Sequence, residues 1–138
     1  VVISELEKAD SSWPSSEYRT NELDFKGYVL DQFQRPTFKY SRGAVSITDK
    51  SIPVASASAE KPGTIRRMLK FSGGEPSSNL YLLLAQGKFQ KDGTGYYNEE
   101  IFLSVKGGEI LVNDGDLRVP IVFKNGKSEV EIIYRWTD

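Results

Sequence analysis

Apolar and polar residues alternate with a period of two through most of this chain, and no segment shows capped helical periodicity over three turns. Alternation sends successive side chains to opposite faces of a pleated strand, so one face can be buried while the other meets water. Leu23, Phe25, Gly27 and Val29 alternate with Asp24, Lys26 and Tyr28. Pro36, Thr37, Phe38, Lys39 and Tyr40 form a second strand with proline first, where a missing donor is tolerated. Val45 and Ile47 mark a third, and residues 49–62 read as a polar connection with Pro53 and Pro62. In residues 64–71, Ile65, Arg67, Leu69 and Phe71 alternate with Arg66, Met68 and Lys70. Residues 80–85 are apolar at every position, which predicts a central strand buried on both sides. Two closing runs alternate well, Leu117, Val119, Ile121, Phe123 and then Val130, Ile132, Tyr134, Trp136. Pro120 in the first of these predicts an edge or a bulge.

Turn residues punctuate the strands. Asp92-Gly93, Gly107-Gly108 and Asn125-Gly126 are predicted hairpin turns, the last suited to the positive φ angles of a type I′ turn. The pattern predicts an all-β protein, an antiparallel two-sheet β-sandwich, jelly-roll-like, of about nine or ten short strands. Residues 1–21 are expected to be a lead-in segment or linker, with an edge strand as the other option for residues 1–6, and residues 22–138 a single sandwich domain. The opening Val1-Val2-Ile3 without Met fits an excised domain or a processed product. The expected core includes Phe25, Phe38, Tyr40, Ile47, Leu69, Phe71, Leu82, Leu103, Val119 and Ile132. Trp136 shares their parity and is expected in the core or at its rim.

The 138 residues include no histidine and no cysteine. That removes His-based triads, thiolate nucleophiles, zinc sites of the His/Cys type and covalently attached haem. Net charge is −1 with acids and bases interspersed, so nucleic acid is not an expected partner. No apolar run approaches the roughly 18 residues of a membrane span, so none is expected. Serine and threonine have no histidine to activate them, and no Gly-x-Ser-x-Gly elbow is present.

Three groups remain as candidates. Aromatic residues can stack on a sugar ring or a partner, and Tyr96, Tyr97 and Trp13 are the expected contacts. The tyrosines are sequence neighbours, so alternation turns one ring outward, and Trp13 lies in a polar loop. Asn113, Asp114 and Asp116 surround Gly115 with oxygen ligands, the donor type calcium prefers; a plain Asx-rich hairpin turn has the same composition. Calcium is the one metal the sequence leaves open, and no other cofactor is expected. Arg66 and Arg67 could grip an anion, but cross-strand pairing with acids is the preferred reading. Glu99 and Glu100 are adjacent and are expected on opposite faces of a strand, which does not make an acid pair.

The run Phe25-Lys26-Gly27-Tyr28-Val29-Leu30-Asp31, followed by Arg35-Pro36-Thr37-Phe38-Lys39-Tyr40, is similar to accessory β domains of large exported modular proteins of environmental bacteria. Those proteins also carry c-type cytochrome domains and sugar-dehydrogenase-like propellers. Thr64-Ile65-Arg66-Arg67, Leu80-Tyr81-Leu82 and Tyr134-Arg135-Trp136 extend the resemblance over residues 23–136. It implies a periplasmic or extracellular accessory module whose partners are neighbouring domains of a larger chain. With no Cys-x-x-Cys-His here, any haem would belong to a neighbour. The expected function is a non-catalytic module mediating protein or carbohydrate contacts, with glycan as a candidate ligand. The alternatives are a carboxylate-based enzyme acting on polysaccharide and a purely structural spacer.

Overall fold

The structure, a computed structural model, describes residues 2–14, 23–58, 60, 63–76, 79–113 and 115–136. Among these, twelve strands and no helix are present. They are β1 (Ile3–Glu5), β2 (Asp24–Leu30), β3 (Pro36–Arg42), β4 (Val45–Val54), β5 (Thr64–Ser72), β6 (Leu80–Gln86), β7 (Gln90–Asp92), β8 (Gly95–Tyr97), β9 (Ile101–Lys106), β10 (Leu111–Asn113), β11 (Asp116–Pro120) and β12 (Lys127–Trp136). Two antiparallel sheets form, one of four strands in the order β1-β6-β11-β10, the other of eight in the order β2-β3-β4-β5-β12-β9-β8-β7. The all-β two-sheet sandwich is therefore present. It has more strands than the sequence predicts, because several are only three residues long. No helix among the described residues is long and apolar enough to cross a membrane.

The core fills the space between the sheets. From the larger sheet come Val45, Ile47, Leu69, Phe71, Val130 and Ile132; from the smaller, Ile3, Leu80, Leu82 and Val119, with Ile121 and Phe123 from the chain that follows. A second cluster of Tyr96, Leu103 and Leu117 closes the β8–β9 end. β6 lies centrally in the smaller sheet, between β1 and β11, but only alternate residues are buried: Leu80 and Leu82 are, while Tyr81 and Leu83 are half-exposed. The bulge expected near Pro120 falls between Leu117 and Arg118, where the β11–β6 register shifts.

Several boundaries differ from expectation. Ile3–Glu5 pairs with β6 at the edge of the smaller sheet, the edge-strand option for residues 1–6 and not the linker, and Ile3 and Leu6 are buried. Asp49–Val54 continues β4 instead of forming a loop, paired along its length with β5. Polar Lys50 and Ser51 obscure that extension in the sequence, whereas the ladder needs only backbone partners. The Gly107-Gly108 turn is not a hairpin, since β9 and β10 belong to different sheets. It is a crossing point. A Cβ on Gly107 would lie 2.5 Å from the Glu129 carbonyl oxygen, and one on Gly108 would lie 2.6 Å from Val119 Cγ1. The glycines are there because the chain must pass this close to both sheets. Asn125 and Gly126 both have positive φ, 53° and 76°, as a type I′ turn requires. They close a turn between Lys124 and Lys127, while β11 and β12 lie in opposite sheets.

The two sheets are unequal, and that inequality leaves part of the larger one uncovered. Directly opposed residues share a face, so the Phe25↔Tyr40, Tyr28↔Phe38 and Tyr40↔Ile47 pairs put Phe25, Tyr28, Phe38 and Tyr40 on the same face as the buried Ile47. Yet Phe25 is 59% exposed and Phe38 is 37% exposed. Both are corrections to the expected core. Trp136 is a third: its parity is that of Val130 and Ile132, but it is 48% exposed beside Pro53 and Ile65. Between the core and the Trp136 end lies a polar row, where Arg67 donates to both carboxylate oxygens of Asp49 at 2.8 and 2.6 Å. This pairing raises the Arg67 pKa further above its ordinary value, against the opposing effect of burial. Arg66 pairs in turn with Glu131.

Candidate functional site

The β2–β3 hairpin carries the most exposed apolar surface among the described residues. A β-bulge between Phe25 and Gly27 resets the alternation, so that Phe25 and Tyr28, three residues apart, face the same way. Their rings meet those of β3: Phe25 lies 5.5 Å from Tyr40 and 6.4 Å from Phe38, and Tyr28 lies 6.1 Å from Phe38, centroid to centroid. The planes are inclined by 46–58°, so the rings form a ridged strip instead of a flat platform. Leu30 and its partner Pro36 extend the strip toward the hairpin tip.

The tip is organised by one carboxylate. Asp31 Oδ1 accepts from the backbone N–H of Phe33 at 2.8 Å and of Arg35 at 3.0 Å. Its Oδ2 accepts from Lys50 Nζ at 3.0 Å. The Arg35 backbone donor, then the Lys50 ammonium, hold the Asp31 pKa down from 3.8 to about 2. The loop so held presents Phe33, 65% exposed, with the Arg35 guanidinium 5.1 Å from its ring centroid. Aromatic content, charge and turn chemistry are thus concentrated in residues 25–40. Alternation alone misses this, because it reports which way a side chain points and says nothing about whether a second layer lies above it.

The expected contact aromatics sit elsewhere. Tyr96 is 8% exposed and packs with Leu103 and Leu117, so its ring is not available to a ligand. Tyr97 is half-buried and donates its hydroxyl to Gln90 Oε1 at 2.9 Å. It borders an open depression of about 520 Å³ with Lys88, Gln90, Asn98, Glu99 and Glu100. Glu99 and Glu100 lie in a bend before β9, not on a strand, and both are exposed and border this depression. Trp13 is half-buried, with the Arg118 guanidinium 5.5 Å from its ring centroid. One face of that ring is therefore occupied.

Asn113 and Asp116 pair across a tight turn at the end of the β10–β11 hairpin, and Asp114 lies outside the described residues. Both carboxylate oxygens of Asp116 accept from Arg118, each at 2.8 Å, a charge-assisted fork. No group of three acidic side chains suited to a metal occurs among the described residues. Arg118 is itself fully buried, and its Nη1 also donates to the carbonyls of Ala9 at 3.0 Å and Ser11 at 2.6 Å. Two residues that the sequence suggested for different tasks, Trp13 and Asp116, thus meet through an arginine it did not single out. The only signal was a lone cation between Leu117 and Val119.

No protein-family model matches this chain, and neither does a curated protein or a solved structure.

Proposed function

We propose that this domain is a non-catalytic contact module whose working surface is the aromatic strip of β2 and β3. The observation that supports this is the strip itself: Phe25, Tyr28, Leu30 and Phe38 stand exposed on the face that elsewhere forms the core. A contiguous apolar patch that folding leaves uncovered is the physical mark of an interaction site. The inclined rings favour a protein partner over a sugar, since a pyranose stacks on a flat ring while a ridged aromatic surface interlocks with side chains. A neighbouring domain of a larger exported chain is the partner this reading supplies. If the strip is a contact surface, Phe25→Ser and Tyr28→Ser in the isolated domain leave its melting temperature unchanged and abolish partner binding. A melting temperature lowered by several degrees would show that the strip is structural and reject the proposal.

A second reading rests on Tyr97. Its ring borders a depression rimmed by amide, carboxylate and ammonium groups, the mixture that orients a glycan's hydroxyls. Tyr97→Ala is then expected to weaken glycan binding with the fold intact, with little salt dependence. A glycan array without a hit on the wild-type domain removes this reading.

A further inference from the structure

The core-bearing face of the larger sheet is open at a second corner, away from the aromatic strip. Trp136 shares the parity of Ile132 and Tyr134 and is 48% exposed. Its indole borders a groove of about 520 Å³ with Pro53 and Ile65, which oppose each other on β4 and β5. Ala55 and Gly63 line the same groove. A Cβ on Gly63 would stand 2.5 Å from the Val54 carbonyl oxygen, so that position admits no side chain and the groove stays open beside the ring.

Hydrogen-bond donors stand one step along the sheet. Tyr134 is opposite Ile65, and Arg67 follows Ile65 by two residues, about 7 Å along β5. Arg67 spends Nε and Nη2 on the two carboxylate oxygens of Asp49. Among the described residues its Nη1 makes one long contact, 3.5 Å to Tyr134 Oη. The Tyr134 hydroxyl accepts there and keeps its own proton to donate. The two groups can therefore hold one acceptor oxygen between them. Ser51, the exposed partner of Arg67 on β4, adds a hydroxyl. Because Asp49 neutralises Arg67, these donors are presented without net charge.

We propose that this corner binds a neutral oligosaccharide, with one pyranose stacked on Trp136 and the next reaching Tyr134 and Arg67. A pyranose carries a face of C–H groups and a rim of hydroxyls, so it calls for a flat apolar ring beneath it and donors at its edge. Charge complementarity selects an uncharged sugar over an acidic one, since Asp49 already satisfies the guanidinium. Area selects a small ligand over a protein. Trp136, Val54, Pro53 and Ala55 expose on the order of 200–300 Å², against about 800 Å² per partner in a stable protein interface. The lone indole also differs from the strip, whose mutually inclined rings leave no flat platform. The site shares no residue with the strip or with the depression beside Tyr97, so it rests on neither of those readings.

The experiment is an NMR titration of this chain with cellohexaose, xylohexaose, mannohexaose and maltohexaose, and with hexagalacturonate as the acidic control. At least one neutral sugar is expected to shift the Trp136 indole and the Gly63 and Ile65 amides saturably, with a dissociation constant of about 0.1–1 mM. Trp136→Leu, which stays apolar but loses the flat ring, is expected to weaken binding at least about tenfold, and Trp136→Tyr to restore most of it. Tyr134→Phe removes only the hydroxyl and is expected to weaken binding about three- to tenfold, which decides the matter if Trp136→Leu fails to fold. Tyr97→Ala, Phe25→Ser and Tyr28→Ser are expected to leave it unchanged. No saturable shift with any neutral sugar up to about 10 mM overturns the proposal, as does tighter binding of hexagalacturonate. Binding that survives Trp136→Leu and Tyr134→Phe overturns it too; if Tyr97→Ala then abolishes that binding, the sugar belongs to the Tyr97 depression instead.

Discussion

The centre of the eight-stranded sheet and its β2–β3 flank are built from the same kind of sequence and end in opposite environments. Ile47, Leu69, Val130 and Ile132 are buried because the smaller sheet lies over them. Phe25, Tyr28 and Phe38 occupy equivalent faces a few strands away and stand in solvent. The difference is one of coverage. Four strands cannot roof eight, and Arg42 on β3 reaches Glu5 on β1 at 3.4 Å near the limit of that roof. An apolar residue under the roof stabilises the fold, whereas the same residue beyond it is free to stabilise a complex.

That contrast breaks most visibly if the smaller sheet is loosened. Arg118→Ala leaves Asp116 buried without its partner and strips two donors from the carbonyls of Ala9 and Ser11. The expected loss is about 3–5 kcal/mol in chemical denaturation, because a buried carboxylate left alone is costly. A loss under about 1 kcal/mol would mean that water reaches the site. Leu82→Ala, beneath the roof, should cost about 2–5 kcal/mol. An effect within error there would erase the distinction between centre and flank. Gly108→Ala tests the crossing between sheets: its methyl would meet Val119, and an overpacking cost of about 1–3 kcal/mol is expected.

At the flank, Phe25→Ser is expected to change stability by no more than about 0.5 kcal/mol. The hairpin tip should respond to acid instead. Asp31 has a folded pKa below its ordinary value, so its contribution is complete above about pH 4, falls between pH 4 and 2, and is lost below. Amide resonances of Phe33 and Arg35 should shift through that window, and Asp31→Asn should abolish the transition. Resonances that titrate near pH 4 instead would show that the Arg35 and Lys50 contacts do not persist in solution.

How much of this was legible in the chain differs from residue to residue. The strand character of residues 24–30 and 36–42 was plain, because alternation is local and strong. The Asn125-Gly126 turn was plain for the same reason, since few residue pairs accept two positive φ angles in succession. Asp49–Val54 was missed because a ladder can be held by backbone alone. Gly107-Gly108 was legible as a break but not as a change of sheet: two glycines permit either. Arg118 could not be assigned, since its partners include carbonyls more than a hundred residues away along the chain.

By itself, the sequence determined the fold class, the faces of most strands and the chemistry that is absent, because periodicity, turn residues and the lack of histidine and cysteine are properties of the chain before it folds. Tertiary structure alone decided which apolar faces are covered. Coverage depends on how many strands join each sheet, and that is settled by backbone pairing between distant segments. So Tyr96, read as a contact residue, became core, and Phe25 and Phe38, read as core, became the exposed strip.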